Sequence, residues 1–468
     1  MLRVWLKDLT PEGIRRAFAE AKDNATMRLL YESALARARA DWLIGMNATR
    51  AMTIAQGGKL LSVGRVQTPT LALIVGRERA IETFVPKKHF ELRVRFVCET
   101  GIYEGRWDPP RDVLDAEGYL LDRAVAQKCL DRVSAAGRGI AEKVEVERKN
   151  EPAPLPFALS DLQKRLSQRY GFGAQETLDT VQKLYEEGLV TYPRTDCTYL
   201  EGARHAEGAQ ILAMLAQSGF ADLLRGTDPA RRSRAFDDSK VGAHTAIVPT
   251  KKAPGANLTG KLKTVYEEIV RRYVAQFLPD AVVERTRIRT RVGEDVFITT
   301  GTRLVSPGWR SVYGGEDKEE EKLSACPKEG EQVGVKDARI EPLETKPPKR
   351  FTEGTLIEAM RHAARFIEDE ALRKVLRDTD GIGTEATRAA IIETLKRRGF
   401  IEVKKKEIVP TPLGRFVVDA VPKELTSVDL TAYWERMLSD IGRGALALGE
   451  FERAQEAFVR TLVSEIGR

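Results

Sequence analysis

Apolar residues recur along the chain with two different periods, and the points of changeover divide it into helical and strand-rich stretches. The first opens at Asp8-Leu9-Thr10-Pro11-Glu12, which predicts a helix start with Thr10 at the N-cap and Pro11 at the first helical position. A second helical run, about 26–53, is dense in Ala, Arg and Leu. The glycine-punctuated GGKLLSVGRVQTPT then leads to another helix, LALIVGRERAIETF, closed by Pro86. From His89 the period falls to two. FELRVRFVCE alternates apolar and charged residues as a half-buried strand does, and ERTRIRTRVGEDVFITTGTRLVSPGW does so again later. These strand-rich pieces, about 90–148 and 280–345, are expected to form one β region from separated segments.

Between them lies a helical insertion entered through Pro152, Pro154 and Pro156. Ser160-Asp161-Leu162-Gln163 spells a capping box, and a second helix carries Leu178, Val181, Leu184 and Tyr185 before ending at Gly188. The chain then runs LVTY, a short strand, into Pro193. The acidic run EDKEEEK at 316–322 predicts a solvated loop, and KPPKR at 346–350 a linker. Beyond it, AIIETLKRRGFIEV echoes QKLYEEGLVTY: helix, glycine, apolar strand. The echo fits a winged-helix half, a frequent nucleic-acid scaffold, and fits equally an ordinary glycine C-cap.

Composition narrows the class. The 468 residues are 42% hydrophobic and 31% charged, as in a globular protein with several domains. No stretch approaches the ~20 apolar residues that span a bilayer, and the first residues lack a signal-peptide core, so no membrane association and a cytoplasmic location are expected. Cys98, Cys129, Cys197 and Cys326 stand singly, which points to incidental thiols and to neither a disulfide framework nor a zinc ribbon. His89, His205, His244 and His362 are too dispersed for an evident metal cage. A net charge of +7 favours polyanionic partners.

Four segments carry candidate chemistry. In Thr191-Tyr192-Pro193-Arg194-Thr195-Asp196, Pro193 turns the backbone just after the tyrosine, which is expected to display the phenol. Arg194 offers a guanidinium to stabilise both a phenolate and the charge developing on a phosphate, with Asp196 placed to orient it. Taken alone, Tyr-Pro-x-Thr is more often a turn than a nucleophile. In GAHTAIVPT, His244 suits phosphate binding or proton movement, and a structural role equally well. In SVGRVQTPT, Arg65, Gln67 and Thr68 offer polar contacts to a nucleic-acid backbone. In DGIGTEATRAAII, Gly381 and Gly383 lead into a helix starting near Thr384, with Arg388 one turn along. Neither glycine-containing segment matches a Walker A loop or a dinucleotide fingerprint, so ATP and nicotinamide cofactors are not expected.

Together, ADWLIGMNATR (40–50), LSVGRVQTPTLALIV (61–75), GLVTYPRTD (188–196), AHTAIVPT (243–250) and GIGTEATRAAII (381–392) resemble the type IA DNA topoisomerases, with spelling closest to the bacterial topoisomerase III branch. The resemblance implies a multidomain α+β fold: a toroidal body with winged-helix-like helical domains and a β-rich arch. It implies a helical base domain in two parts, 1–85 and 346–468, an arch in two parts, 86–148 and 258–345, and a tyrosine-bearing helical domain, 149–257. By the same match Tyr192 would attack one DNA strand and hold its 5′ phosphate, Arg194 would contact the scissile phosphate, and His244 would support the reaction. Asp41, Arg65, Gln67, Thr68, Thr195, Thr384 and Arg388 would line the single-strand path.

Members of that family begin with a Toprim domain whose acidic DxDxE set holds Mg²⁺, and this chain starts about where that domain would end. Asp378-Thr379-Asp380 lacks the following glutamate and reads as a loop, so no metal ligands are assigned. The resemblance therefore implies a Mg²⁺-dependent enzyme, with a separate Toprim-containing polypeptide or a helicase as partners beside single-stranded DNA. The alternative is a non-catalytic single-stranded-DNA-binding module or a fragment of such an enzyme.

Overall fold

The computed structural model describes residues 1–6, 9–314, 323–379 and 381–466; the acidic run at 316–322 and Asp380 lie outside the described residues. The alternating stretches form one closed antiparallel barrel. Its strands are β1 (Lys88–Cys98), β2 (Gly101–Trp107), β3 (Arg138–Glu151), β4 (Ala281–Val292), β5 (Asp295–Ser306) and β6 (Gln332–Glu344), in the order β1-β2-β5-β4-β3-β6. Residues before and after the helical insertion are thus joined edge to edge, most extensively where β3 pairs with β4 from Ile140↔Arg291 to Glu151↔Ala281.

The period-two pattern is the cause. On β1, Leu92, Val94, Phe96 and Cys98 point inward while Arg93 and Arg95 face out, and on β4, Ile288, Thr290 and Val292 alternate with Arg287, Arg289 and Arg291. Phe96 and Phe297 meet edge to face at 5.5 Å inside the barrel. The one buried tyrosine hydroxyl of this core, Tyr103, is satisfied by Thr290 Oγ1 at 2.8 Å. The helix Arg123–Ala136 contributes Ala126, Cys129 and Val133 to the same core.

The helical stretches share a second core. The helix Arg28–Ala55 presents Ala36, Ala40, Ile44, Ala48 and Met52, every fourth residue, and its small side chains let the helices Asp429–Gly442 and Leu448–Ile466 pack closely against it. The helix at Pro11 starts as expected, with Thr10 Oγ1 accepting from Gly13 N at 3.1 Å. The helix Gln67–Glu82 begins four residues before the expected LALIV run, with Pro69 tolerated in its first turn. Of the two helix-glycine-strand echoes, only the second develops a wing. There the helix Arg388–Arg397 passes through Gly399 into the hairpin Ile401–Lys404 and Glu407–Pro410. After Gly188 only an isolated bridge, Val190↔Pro249, forms, because Pro193 stops any ladder.

The expected capping box at Ser160 is overturned. The helix Leu159–Tyr170 starts two residues earlier than that box implies, with Ala158 at the N-cap, and Ser160 is already inside it. Its N–H donates instead to the buried carboxylate of Glu385 at 2.8 Å. The next helix, Ala174–Glu186, is treated the same way, with Ala174 N donating to Glu353 Oε2 at 2.6 Å. Two helix N-termini are therefore satisfied by carboxylates far along the chain, with charge complementing the helix dipole.

Phe297 is fully buried at the centre of the barrel. Replacing it with alanine should cost about 3–5 kcal/mol of unfolding free energy by loss of burial and creation of a cavity. Urea unfolding followed by circular dichroism measures this, and a loss under about 1 kcal/mol would mean the barrel core collapses to refill the space.

Candidate active site

The tyrosine segment is held by threonines. After the helix Ala174–Glu186, Gly188 takes a left-handed conformation (φ 73°) that a side chain would strain, and the chain turns into Leu189–Thr191. This run lies along Val248–Thr250, with Thr250 N donating to Leu189 O at 2.9 Å and Thr191 N to Val248 O at 3.0 Å. Pro193 has no N–H to extend the pairing. Side chains take over: Thr191 Oγ1 donates to Ala246 O at 2.7 Å and accepts from Val248 N at 2.9 Å, and Thr250 Oγ1 donates to Gly188 O at 2.6 Å.

This lacing brings the YPRTD and AHTAIVPT segments face to face. The Tyr192 ring lies against His244, centroids 4.4 Å apart and 34° from parallel, with Tyr185 edge-on behind it at 5.5 Å. Tyr192 is half-buried, its ring packed between these neighbours while part of the side chain stays exposed. From Pro193 onward burial alternates: Pro193, Thr195 and Cys197 point in, while Arg194 and Asp196 point to solvent. Asp196 does not orient Arg194, since the two form no ion pair among the described residues. Arg194 instead reaches the wall of a cleft of ≈ 310 Å³ that it shares with Arg37, Arg65, Thr384, Glu385 and Glu435.

The cleft floor is an ion network. Arg65, 4% exposed, donates to both oxygens of Asp41 (2.8 and 3.3 Å) and to Glu435 Oε1 (3.2 Å), and lies over the Trp434 ring at 5.2 Å. Burial works against its charge, but the two carboxylates more than offset that and hold the guanidinium above its ordinary pKa. Arg37 completes the set through Glu435 Oε2 at 2.5 Å. It carries no motif signature, and sequence reasoning passed over it.

Several expected strand contacts are structural. Thr68, Thr195 and Arg388 are each 1% exposed, so in this structure their side chains are packed within the protein. Thr68 Oγ1 accepts from Gly64 N and Gln67 Nε2 donates to Ser62, so both side chains fasten the SVGRV loop. Thr195 O accepts from Leu159 N at 3.0 Å. The glycine loop ends in a helix that starts at Arg388, not near Thr384, so Arg388 opens the helix instead of lying one turn along it. Its guanidinium turns inward to Glu385 Oε1 (2.8 Å), Gly383 O (2.9 Å) and Ile382 O (3.2 Å). Thr384 stays exposed at the loop tip, its N–H donating to Thr387 Oγ1 at 2.9 Å. Asp378, read as loop, is the last residue of the helix Glu370–Asp378.

The profile of the DNA topoisomerase family matches residues 25–452. The chain belongs to the type IA DNA topoisomerases. Among relatives of this family member, DNA topoisomerase 3 of Haemophilus influenzae is 39% identical over 473 residues, covering 96% of this chain and 72% of the relative. DNA topoisomerase 3 of Salmonella typhimurium is 38% identical, covering all of this chain (100%) and 74% of the relative. The full-length topoisomerase I of Thermotoga maritima shares the fold with a TM-score of 0.74 at 26% identity, over 98% of this chain and 73% of that one. The type IA enzyme is therefore favoured over the non-catalytic module, and its multidomain α+β architecture is that of the family. No helix among the described residues is long and apolar enough to cross a membrane.

The family requires Mg²⁺, and the residues beside Arg194 do not fit one. Among the described residues no group of three or more His, Cys, Asp or Glu is arranged to hold a metal ion. Of the carboxylates lining the cleft, Glu385 and Glu435 are spent on arginines and on Ser160 N, which leaves the exposed Asp196 as a single ligand beside Arg194.

Because Arg388 is buried against Glu385, Arg388→Ala should act on stability and leave DNA contacts alone. The expected loss is about 3–5 kcal/mol in urea unfolding, since a buried carboxylate loses its partner, with the salt dependence of oligonucleotide binding unchanged. A shallower salt slope with parental stability would restore Arg388 as a phosphate contact.

Proposed function

We propose that Tyr192 is the nucleophile with which this type IA topoisomerase opens and recloses one DNA strand. The supporting observation is the juxtaposition of the Tyr192 ring with His244 at 4.4 Å, one residue before Pro193 and two before an outward-facing Arg194 at the cleft wall. In the cleavage step the phenol oxygen bonds to phosphorus and the bond from phosphorus to the 3′ oxygen breaks. The phenol proton leaves and the departing 3′ oxygen takes one up. The strand's 5′ phosphate is then a tyrosyl diester, and attack by the 3′ hydroxyl reverses each change. One phosphodiester is exchanged for another, so strand rejoining needs no nucleotide triphosphate.

Tyrosine is a weak nucleophile at neutral pH, and two neighbours answer that. His244, packed on the ring, would on this reading accept the phenol proton or hold it by hydrogen bond. Arg194 supplies forked N–H donors to the non-bridging oxygens, where charge builds as the fifth bond forms. Thr384 at the exposed tip of the glycine loop and Arg37, which line the same cleft, are further polar groups that a strand would meet on this reading. The substrate on this reading is single-stranded DNA in the cytoplasm. Relaxation of negatively supercoiled plasmid that appears only on adding a separate Toprim domain with Mg²⁺ would assign the metal to that partner.

Two measurements test the assignment. Denaturant-trapped adduct on a 3′-labelled oligonucleotide should vanish in Tyr192→Phe, and adduct that survives the substitution would sink the nucleophile. Arg194→Ala should lower the adduct-forming rate about 100-fold, the usual cost of one donor to a developing oxyanion. Arg194→Lys should recover only part of it, because a point charge does not reproduce the fork; parental rates in both variants would count against the phosphate contact.

A further inference from the structure

Glu385, in the glycine loop, bonds to Arg388 of that loop and to the first turn of the helix Leu159–Tyr170, which in turn bonds to the tyrosine segment. It is 6% exposed and lines the cleft beside Arg194. One oxygen accepts from Arg388 Nη1 at 2.8 Å, and Arg388 in turn donates to the carbonyls of Ile382 and Gly383. This closes the loop 382–388 beneath the exposed Thr384. The other oxygen accepts from Ser160 N at 2.8 Å, in the first turn of the helix Leu159–Tyr170. The adjacent peptide, Leu159 N, donates to Thr195 O at 3.0 Å, immediately after Arg194. The path from loop tip to nucleophile is therefore Thr384, Glu385, Ser160–Leu159, Thr195, Arg194, Tyr192. Each link between segments is a hydrogen bond of 3.0 Å or less between buried groups.

A carboxylate at this position does what a local cap does not. The Ser160 hydroxyl, spelled as a cap, is engaged by Arg361 Nη1 at 3.2 Å. The helix start is left to a residue of the glycine loop. Any shift of that loop when a strand enters the cleft must either carry the Leu159–Ser160 turn with it or break a charge-assisted bond in a dry site, where an abandoned acceptor is costly.

We propose that Glu385 is a positioning residue: through Ser160 it transmits occupancy of the cleft by a DNA strand to the placement of Arg194 and Tyr192. The inference rests on the reading of Tyr192 as nucleophile for its purpose, but its test does not depend on cleavage.

The test places 3-fluorotyrosine at position 192 of the full chain and follows its ¹⁹F resonance as a single-stranded oligonucleotide is added, with affinity measured in parallel by fluorescence anisotropy. Ser160→Pro removes the bonded N–H together with the hydroxyl, at a first-turn position where proline is tolerated, and Ser160→Ala removes the hydroxyl alone. Glu385→Ala removes the acceptor, and Glu385→Gln keeps an oxygen in its place. In the parental chain and in Ser160→Ala the oligonucleotide should move the resonance. In Ser160→Pro affinity should stay within about threefold, under 1 kcal/mol, while the resonance ceases to respond; Glu385→Ala should lose the response too, and Glu385→Gln should recover it. The proposal is overturned if the parental resonance ignores the oligonucleotide, if either breaking variant that remains folded by circular dichroism responds as the parent does, or if Glu385→Gln fails to rescue. None of these outcomes touches the nucleophile assignment, which the Tyr192→Phe adduct assay decides separately.

Discussion

Pro193 removes a backbone donor at the place where the chain most needs one. A tyrosine meant to meet a phosphate must sit at the end of a fixed run of backbone, yet the residue after it cannot join a ladder. The structure resolves this with the hydroxyls of Thr191 and Thr250, which bond to Ala246 O and Gly188 O, and with the backbone bonds between Leu189–Thr191 and Val248–Thr250. A neutral bond of this kind is worth only about 1 kcal/mol net, but leaving its buried partners unmet costs more. The register is therefore well specified, and the Tyr192–His244 contact follows from it.

Around that run, polar groups do the positioning that apolar packing does elsewhere. Arg65 with Glu435, Arg388 with Glu385, and the two helix N-termini capped by Glu385 and Glu353 are buried or nearly so, and half-exposed Asp41 joins Arg65 from the rim. Buried ion pairs are weak evidence for stability, because desolvation consumes most of the attraction. Their geometry is what they contribute here: each fixes a loop that would otherwise have only glycines and short side chains to define it. The barrel shows the contrast, since its arginines face outward in surface pairs while its interior is aromatic and aliphatic.

Much of this was legible in the sequence for a physical reason. Period-two alternation on both sides of the helical insertion reports a strand face, so the barrel's two contributions announce themselves even though they join across more than a hundred residues. Pro193 and Gly188 are local constraints with local consequences, and they mark the tyrosine turn. The Ser160 box failed because capping depends on which acceptor arrives, and Glu385 arrives from a distant part of the chain. Arg65, Thr195 and Arg388 resemble strand contacts in the sequence because a polar side chain in a motif looks the same whether it faces a phosphate or a partner within the protein. Only the three-dimensional neighbours separate the two, and Arg37 was missed for the converse reason.

The most direct test of the account is where the DNA becomes attached. Trapped complex can be trimmed with nuclease, digested with protease and sequenced by tandem mass spectrometry. A residual nucleotide joined through its 5′ phosphate to the tyrosine of the peptide containing Thr191-Tyr192-Pro193-Arg194 is the predicted result. Attachment at His244, at the neighbouring Tyr185, or through a 3′ phosphate would contradict it.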